Sequence, residues 1–491
     1  MKKLALILLG ILGILTAVIV IRSARFSSRQ IHAEPIQSIT LDREAVARRL
    51  SKAIQFKTIS FQEPAAPGSR EFISLRDFIE KSFPLVHRRL TKEIVGDYSL
   101  LYAWPGQDTR LKPILLMAHM DVVPVDPTTE SAWHHAPFSG AVSGGHIWGR
   151  GAIDDKASVM GILEAVEHLL ASAFQPQRTV YLAFGHDEEI GGARGAAKIA
   201  ELLRSRGVEL EYVLDEGLNI FTGIIPRVNT PVALIGVAEK GYVSLQLTVE
   251  TAGGHSSAPP QGTAIGTISR AIQRLEARPF PSRISGPTRQ MLEFLGPEMA
   301  WYNKLALANL WLFDPLVRKQ LAASPLTNAA IRTTIAPTLF NAGVKDNVLP
   351  AKASAVINLR LAPGETIDGA TAHVRAAIGD PNVRITPLPA QIEPSNVSDI
   401  ESPSFALLHR TIRETAPQSL VAPALLIAAT DSRHYRTLSG NIFRFLPIIL
   451  GAEDTKRYHG IDERIAIDDY ERCIRFYAQL IMNSDKQRPS Q

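Results

Sequence analysis

Cysteine is almost absent from this chain: Cys473 is the only one in 491 residues. That excludes an internal disulfide and any metal site built from several thiolates. A strong charge of one sign is also lacking, since 53 basic residues stand against 48 acidic ones for a net +5. With no long basic run and no interleaving of aromatic and basic residues, binding to nucleic acid has no support. Beyond the first two dozen residues there is no apolar run long enough to span a bilayer. What is present is ordinary for a globular protein, 45% apolar and 21% charged residues. The length exceeds one core and implies two or three domains.

The exception is the N-terminus. Lys2 and Lys3 precede an uncharged apolar run of 18 residues, Leu4 to Ile21, followed by Arg22, Arg25 and Arg29. That length approaches a bilayer span and exceeds the apolar part of an ordinary export signal. No small-x-small cleavage site follows it. The first expectation is an uncleaved anchor with the remainder outside the cytoplasm; the second is a cleaved signal and an exported (periplasmic or secreted) protein.

Periodicity divides the rest. Residues 1–22 are the anchor or signal and 23–40 a polar tether. Strand and helix patterns alternate through 41–238, the mark of a doubly wound α/β sheet. Residues 239–395 read strand, helix, two strands, helix, strand, the order of a ferredoxin-like α+β sandwich. An apolar helical stretch, 284–330, interrupts them. It is read as extra core or a subunit interface, and alternatively as an apolar wall for a substrate. Residues 396–491 return to the first pattern, so the small domain is an insertion in the large one.

The chemistry gathers at the ends of apolar runs. Ile114 to Ala118 runs into His119 and Asp121, which share one side of an extended chain and suit a metal ligand with its orienting carboxylate. Thr179 to Phe184 runs into His186, Asp187, Glu188 and Glu189. Tyr212 to Leu214 runs into Asp215 and Glu216. Between the first two lies the turn Gly149-Arg150-Gly151-Ala152-Ile153-Asp154-Asp155-Lys156. In open α/β sheets ligands bind outside the carboxyl ends of the strands, so an acid-lined crevice is expected there. So many carboxylates share a crevice only if cations neutralise them or protons remain. His, Asp and Glu donors without Cys suit zinc or a similar ion, in a two-metal site bridged by a carboxylate.

Taken in order, His119-x-Asp121, Gly149-Arg150-Gly151-x-x-Asp154-Asp155-Lys156, Glu188-Glu189-x-Gly191-Gly192, Asp215, Gly254-His255-Ser256-Ser257 and His459-Gly460 resemble the co-catalytic zinc hydrolases. That family includes aminoacylases, carboxypeptidase G and succinyl-diaminopimelate desuccinylase. The branch most similar is that of carboxypeptidase S and the N-fatty-acyl-amino-acid hydrolase/synthase, on the wording of 149–156, Leu214-Asp215-Glu216-Gly217, Trp133, Pro137-Phe138-Ser139-Gly140 and the apolar N-terminus. The resemblance implies a zinc-exopeptidase-like sheet domain with an inserted lid or dimerisation domain. It implies two zinc ions per subunit, with cobalt or manganese as substitutes. His119 and Asp215 would hold one ion, Glu189 and His459 the other, and Asp154 would bridge them; Asp215 is taken over its neighbour Glu216. Asp121 would clamp His119, and Glu188 would serve the bridging water as general base. His255 would stabilise the oxyanion of a neighbouring site, which makes a homodimer through the inserted domain an expectation. Asn347, Arg360 and Arg433 are candidates for gripping a substrate carboxylate.

The activity so implied is hydrolysis of N-acyl amino acids or short peptides with a free carboxylate. The alternatives are a biosynthetic deacylase and a non-catalytic zinc-dependent scaffold.

Overall fold

The computed structural model describes residues 2–36, 39–61, 69–225 and 227–485. Parts of the expected tether and of the last segment, 37–38 and 486–491, lie outside the described residues. The fold is mixed α/β. A ten-stranded sheet is centred on Ile114–His119, which is flanked by Val180–Gly185 on one side and Tyr212–Asp215 on the other, both parallel to it. Ile442–Arg444 continues the parallel run beside Tyr212–Asp215. Antiparallel strands flank this run, Ser99–Trp104 beside Val180–Gly185 and Val232–Glu239 beyond Ile442–Arg444, with further strands outside them.

All six residues of Ile114–His119 are buried, as a continuous apolar run covered on both faces requires. The helix Lys156–Ala171 packs on this strand and on the C-terminal helix Ile467–Ser484. Val159, Ile162, Leu163, Val166 and Leu169 form its inner stripe, at the spacing of one helix face. The buried Lys156 Nζ donates to the carbonyls of Ala53 and Phe56. It thereby ties the end of the helix Arg43–Ile54 and the turn after it to the start of the helix Lys156–Ala171.

A second sheet has its own core. Its four strands run Thr334–Ala342, Lys352–Leu361, Gly241–Glu250, Arg384–Ile392, every neighbour antiparallel. Val243, Leu245, Leu247 and Val249 are buried with Ile268, Leu275, Val374 and Ile378 of the helices Ala264–Ala277 and Ile367–Ile378. This strand order and helix placement form the ferredoxin-like sandwich.

The stretch 284–330 folds into helices, among them Gly286–Leu295, Trp301–Ala308 and Leu310–Leu321. The first packs on the strand Leu420–Leu426, and the second on the N-terminal helix Lys2–Arg25. The segment read as a tether is strapped down. Gln30 Nε2 donates to Val421 O at 2.9 Å and Val421 N donates to Gln30 Oε1 at 2.8 Å, so one amide side chain mimics a strand neighbour. Arg29 pairs with Glu401.

Candidate active site

The parallel strands deliver their polar ends to one edge. His119 is level with Gly185, and Asp215 with Arg444. Just past Gly185, the 3-10 turn Glu188–Ile190 carries the paired glutamates and ends on Gly191, whose φ of 109° is open to glycine. A Cβ on the next residue, Gly192 (φ 65°), would strike the Asp431 carboxylate, so this turn closes only without side chains.

Asp154 stands at the centre. Its Oδ1 lies 2.9 Å from His119 Nε2 and its Oδ2 3.1 Å from His459 Nε2. One carboxylate thus spans two imidazoles. His459 Nε2 is also 3.3 Å from Glu189 Oε2, whose companion Oε1 is buried with no hydrogen-bond partner. Among the described residues, two groups have ligand atoms close enough for one ion each, His119, Asp154 and Glu216, and Asp154, Glu189 and His459. They share Asp154.

The supports are as specific as the donors. His119 Nδ1 meets the Asp121 carbonyl at 3.0 Å and its carboxylate at 3.3 Å. Asp121, fully buried, also accepts from Ser60 Oγ at 2.6 Å and from the backbone N–H of Glu188 and Glu189 at 3.2 and 3.1 Å. One aspartate therefore orients the histidine and anchors the turn of the glutamates. Beneath Asp154, Glu463 accepts from the N–H of Ile153 and Asp154 and from Arg150 Nη1 at 2.6 Å. Arg150 Nη2 donates to the carbonyls of His459 and Gly460, which ties the His459 loop to the Asp154 turn.

The electrostatics call for cations. Burial pushes the Glu188 carboxyl well above the carboxylate range, with Asp431, Glu189 and Asp121 adding to it and His119 opposing. Burial likewise raises Glu216, reinforced by Asp154, Asp155 and Asp215. Hydrogen bonds to Asp154 and Glu189 push the His459 imidazole up to about 10. His119 is raised well above its ordinary value, the bonds to Asp121 and Asp154 outweighing burial. Protons here do what metal ions would do in their place.

Glu216, rather than its neighbour Asp215, lies with His119 and Asp154 in one candidate donor group; both Asp215 oxygens are engaged, Oδ2 by Ser432 N at 2.8 Å and Oδ1 by Glu216 N at 3.0 Å. Arg433 is committed to the protein, with Nη2 on Gly191 O at 2.8 Å and Nη1 on Thr430 O at 3.0 Å. It braces the glutamate turn. His255 is exposed, its Nδ1 held by Ser257 Oγ at 2.8 Å. It sits on a two-stranded ribbon opposite Val348, beside Asn347, so those two candidates come together on the inserted domain. Arg360 lies over the ring of Tyr242 at 4.8 Å, on the same domain. His186 is buried and bonded to Ser99 Oγ, a supporting residue. The supports that sequence reasoning passed over, Glu463 and Ser60, are placed by contacts hundreds or tens of positions away.

Residues 115–483 match peptidase family M20/M25/M40. Over 490 residues the chain is 43% identical to a probable carboxypeptidase S-like 2 of Dictyostelium discoideum, covering 98% of this chain and 93% of that one. Over 456 residues it is 40% identical to the N-fatty-acyl-amino acid synthase/hydrolase PM20D1 of Homo sapiens (92% and 90% covered). Carboxypeptidase S of Saccharomyces cerevisiae is 31% identical over 493 residues (90% and 84% covered). Among solved structures, an M20 family metallo-carboxypeptidase from Sulfolobus solfataricus superposes with a TM-score of 0.65 at 19% identity, covering 91% of this chain and all of that one.

Proposed function

Because the chain belongs to peptidase family M20/M25/M40 and is thereby an enzyme of the peptidase and amidohydrolase kind, we propose that its carboxylate crevice cleaves the amide bond between an acyl or peptidyl group and an amino acid with a free carboxylate. The observation that carries the reading is Asp154, with one oxygen on each histidine and a ligand triad on either side. The donor set, two imidazoles and three carboxylates without sulfur, fits two zinc ions, His119 and Glu216 holding one, Glu189 and His459 the other, Asp154 both. Ions held there would lower the pKa of water and polarise the scissile carbonyl.

Glu188 belongs to neither triad, and its carboxyl is raised by burial. A carboxylate poised nearer neutrality takes a proton from the attacking water and returns it to the departing amine nitrogen. Asp121 keeps Glu188 in place through its backbone N–H while fixing His119. His255 and Asn347 form the polar group that the inserted domain brings to the carbonyl oxygen, from a second copy of the chain. Arg360 is the cation left for the substrate carboxylate. The relatives named as carboxypeptidase S and N-fatty-acyl-amino acid synthase/hydrolases favour this bond class. The helix Lys2–Arg25, whose most apolar 18 residues have a mean hydropathy of 3.1, serves as an uncleaved anchor with the body outside the cytoplasm.

The test is release of free amino acid by the zinc-loaded full chain from a panel of N-acyl amino acids, short and long in the acyl part, and dipeptides. Release that a chelator abolishes is expected. Silence across the whole panel from a protein carrying its ions would end the reading.

A further inference from the structure

The N-terminal helix does not stand apart from the body. Between Leu4 and Ile21 only Leu15 and Ile19 are partly covered, and Ser23 and Phe26 continue the same stripe at helical spacing. What covers the stripe is the helical insertion. Asn309 Nδ2 donates to Ile19 O at 3.3 Å and to Ser23 Oγ at 3.2 Å, Arg22 Nε donates to Ala308 O at 3.3 Å, and the Phe26 ring lies against Gly296. At 1.5 Å of rise per residue, the Ile19 contact lies about 3 Å inside the end of the apolar run, and Leu15 about 9 Å inside. A bilayer that holds the whole run therefore meets the insertion as well.

The insertion carries the surface such a meeting requires. Trp301 is 75% exposed, Tyr302 51%, Trp311 53%, Leu312 40% and Leu316 61%. Side chains of this kind lie at membrane boundaries, where an amphipathic ring or a leucine sinks roughly 5–10 Å below the headgroups. Beside them a cavity of about 730 Å³ is walled by Arg22, Arg25, Arg29 and Arg289 with Phe26 and Trp311, and also by Glu293 and Asp314; Arg289 pairs with Glu293 and Arg29 with Glu401. The guanidinium groups of Arg22 and Arg25 over an apolar floor match an anionic headgroup above its acyl chain. The Gln30–Val421 and Arg29–Glu401 contacts fix the base of the helix to the body, so the level of the insertion is set with it.

We propose that the helices Trp301–Ala308 and Leu310–Leu321 form a membrane seat, lying in the headgroup layer around the anchor and holding the catalytic body against the lipid surface. The inference rests on the anchor reading given above, and the test separates the two. Full-length protein is reconstituted into phosphatidylcholine and phosphatidylglycerol vesicles whose acyl chains are brominated near the headgroup, and retention after alkaline carbonate is scored in parallel. Of the five tryptophans, Trp104, Trp133 and Trp148 are buried in the body, so Trp301 and Trp311 report on the seat. The expected result is carbonate-resistant retention with quenched tryptophan emission, and loss of the quenched component in the Trp301→Tyr, Trp311→Tyr double variant.

Retained protein with no quenching overturns the seat and leaves the anchor standing. Retained protein whose tryptophans escape both the brominated lipid and aqueous acrylamide shows a protein partner, a second copy included, on this face, and also overturns it. Quenching with carbonate-labile attachment supports the seat and removes the anchor. Neither retention nor quenching overturns both.

Discussion

The two halves of the carboxylate crevice share Asp154 and the support of Asp121, and differ in how their histidines are held. The His119 half is made by the sheet: the imidazole ends a strand paired on both sides, its side chain is 2% exposed, and Asp121 grips it from behind. The His459 half is made by a loop. There the histidine sits at φ 56° with its side chain 56% exposed, and the loop is held from below by Arg150 on two carbonyls. A hydrophobic sheet thus fixes the first histidine, while the His459 loop leans on the buried ion pair of Arg150 with Glu463. The second ion should be the looser one.

Removing the shared joint should have the largest effect. Asp154→Ala is expected to lose both ions and all amino-acid release, read by metal content and turnover together. Retention of one ion at full occupancy would show that the halves are independent. Arg150→Ala comes next, since it strands the buried Glu463 charge; the expected loss is about 3–5 kcal/mol in denaturant unfolding, with metal lost first from the His459 half. An unchanged metal content in a folded Arg150→Ala protein would remove the loop argument.

Glu216→Ala against Asp215→Asn sharpens the other half. The first should abolish an ion site, and the second should weaken it by about 10–100-fold, as for a supporting contact. Metal titration ranks them, and the reverse order would restore Asp215 as the donor. The smallest effect concerns pH in the chelated protein. His459, raised by hydrogen bonds to Asp154 and Glu189, has a folded value of about 10 against ~6.5 unfolded. Its contribution is fully present below the unfolded value and is lost as pH rises through the folded one. Melting temperature should therefore fall between those limits, and His459→Gln should flatten the slope. Metal affinity should rise over the same window, because the ligand must shed its proton.

Much of this was legible in the chain. Short apolar runs end at His119 and Asp121 and at Glu188 and Glu189, Asp154 stands in a glycine-rich turn, His459 is named by the resemblance alone, and the alternation of Gly241–Glu250 marks a sheet with one covered face. The surroundings of Asp215 were not, since Ser432 N, 217 positions away, arrives at its Oδ2. Nor was the bond from Arg433 Nη2 to Gly191 O, 242 positions away. The strand Val232–Glu239 went unread because a short apolar run has no period to separate strand from buried helix. The polar stretch after Arg25 gave no sign of its docking, since Gln30 borrows backbone partners that a sequence does not display.

In the proposed reaction Glu188 moves the proton while the two triads hold the ions. Glu188→Gln measured against the parent for both metal content and amino-acid release tests this. Unchanged ion content is expected, with turnover lowered by about 10²–10⁴-fold. Undiminished turnover, or a fall that only tracks lost metal, would contradict it.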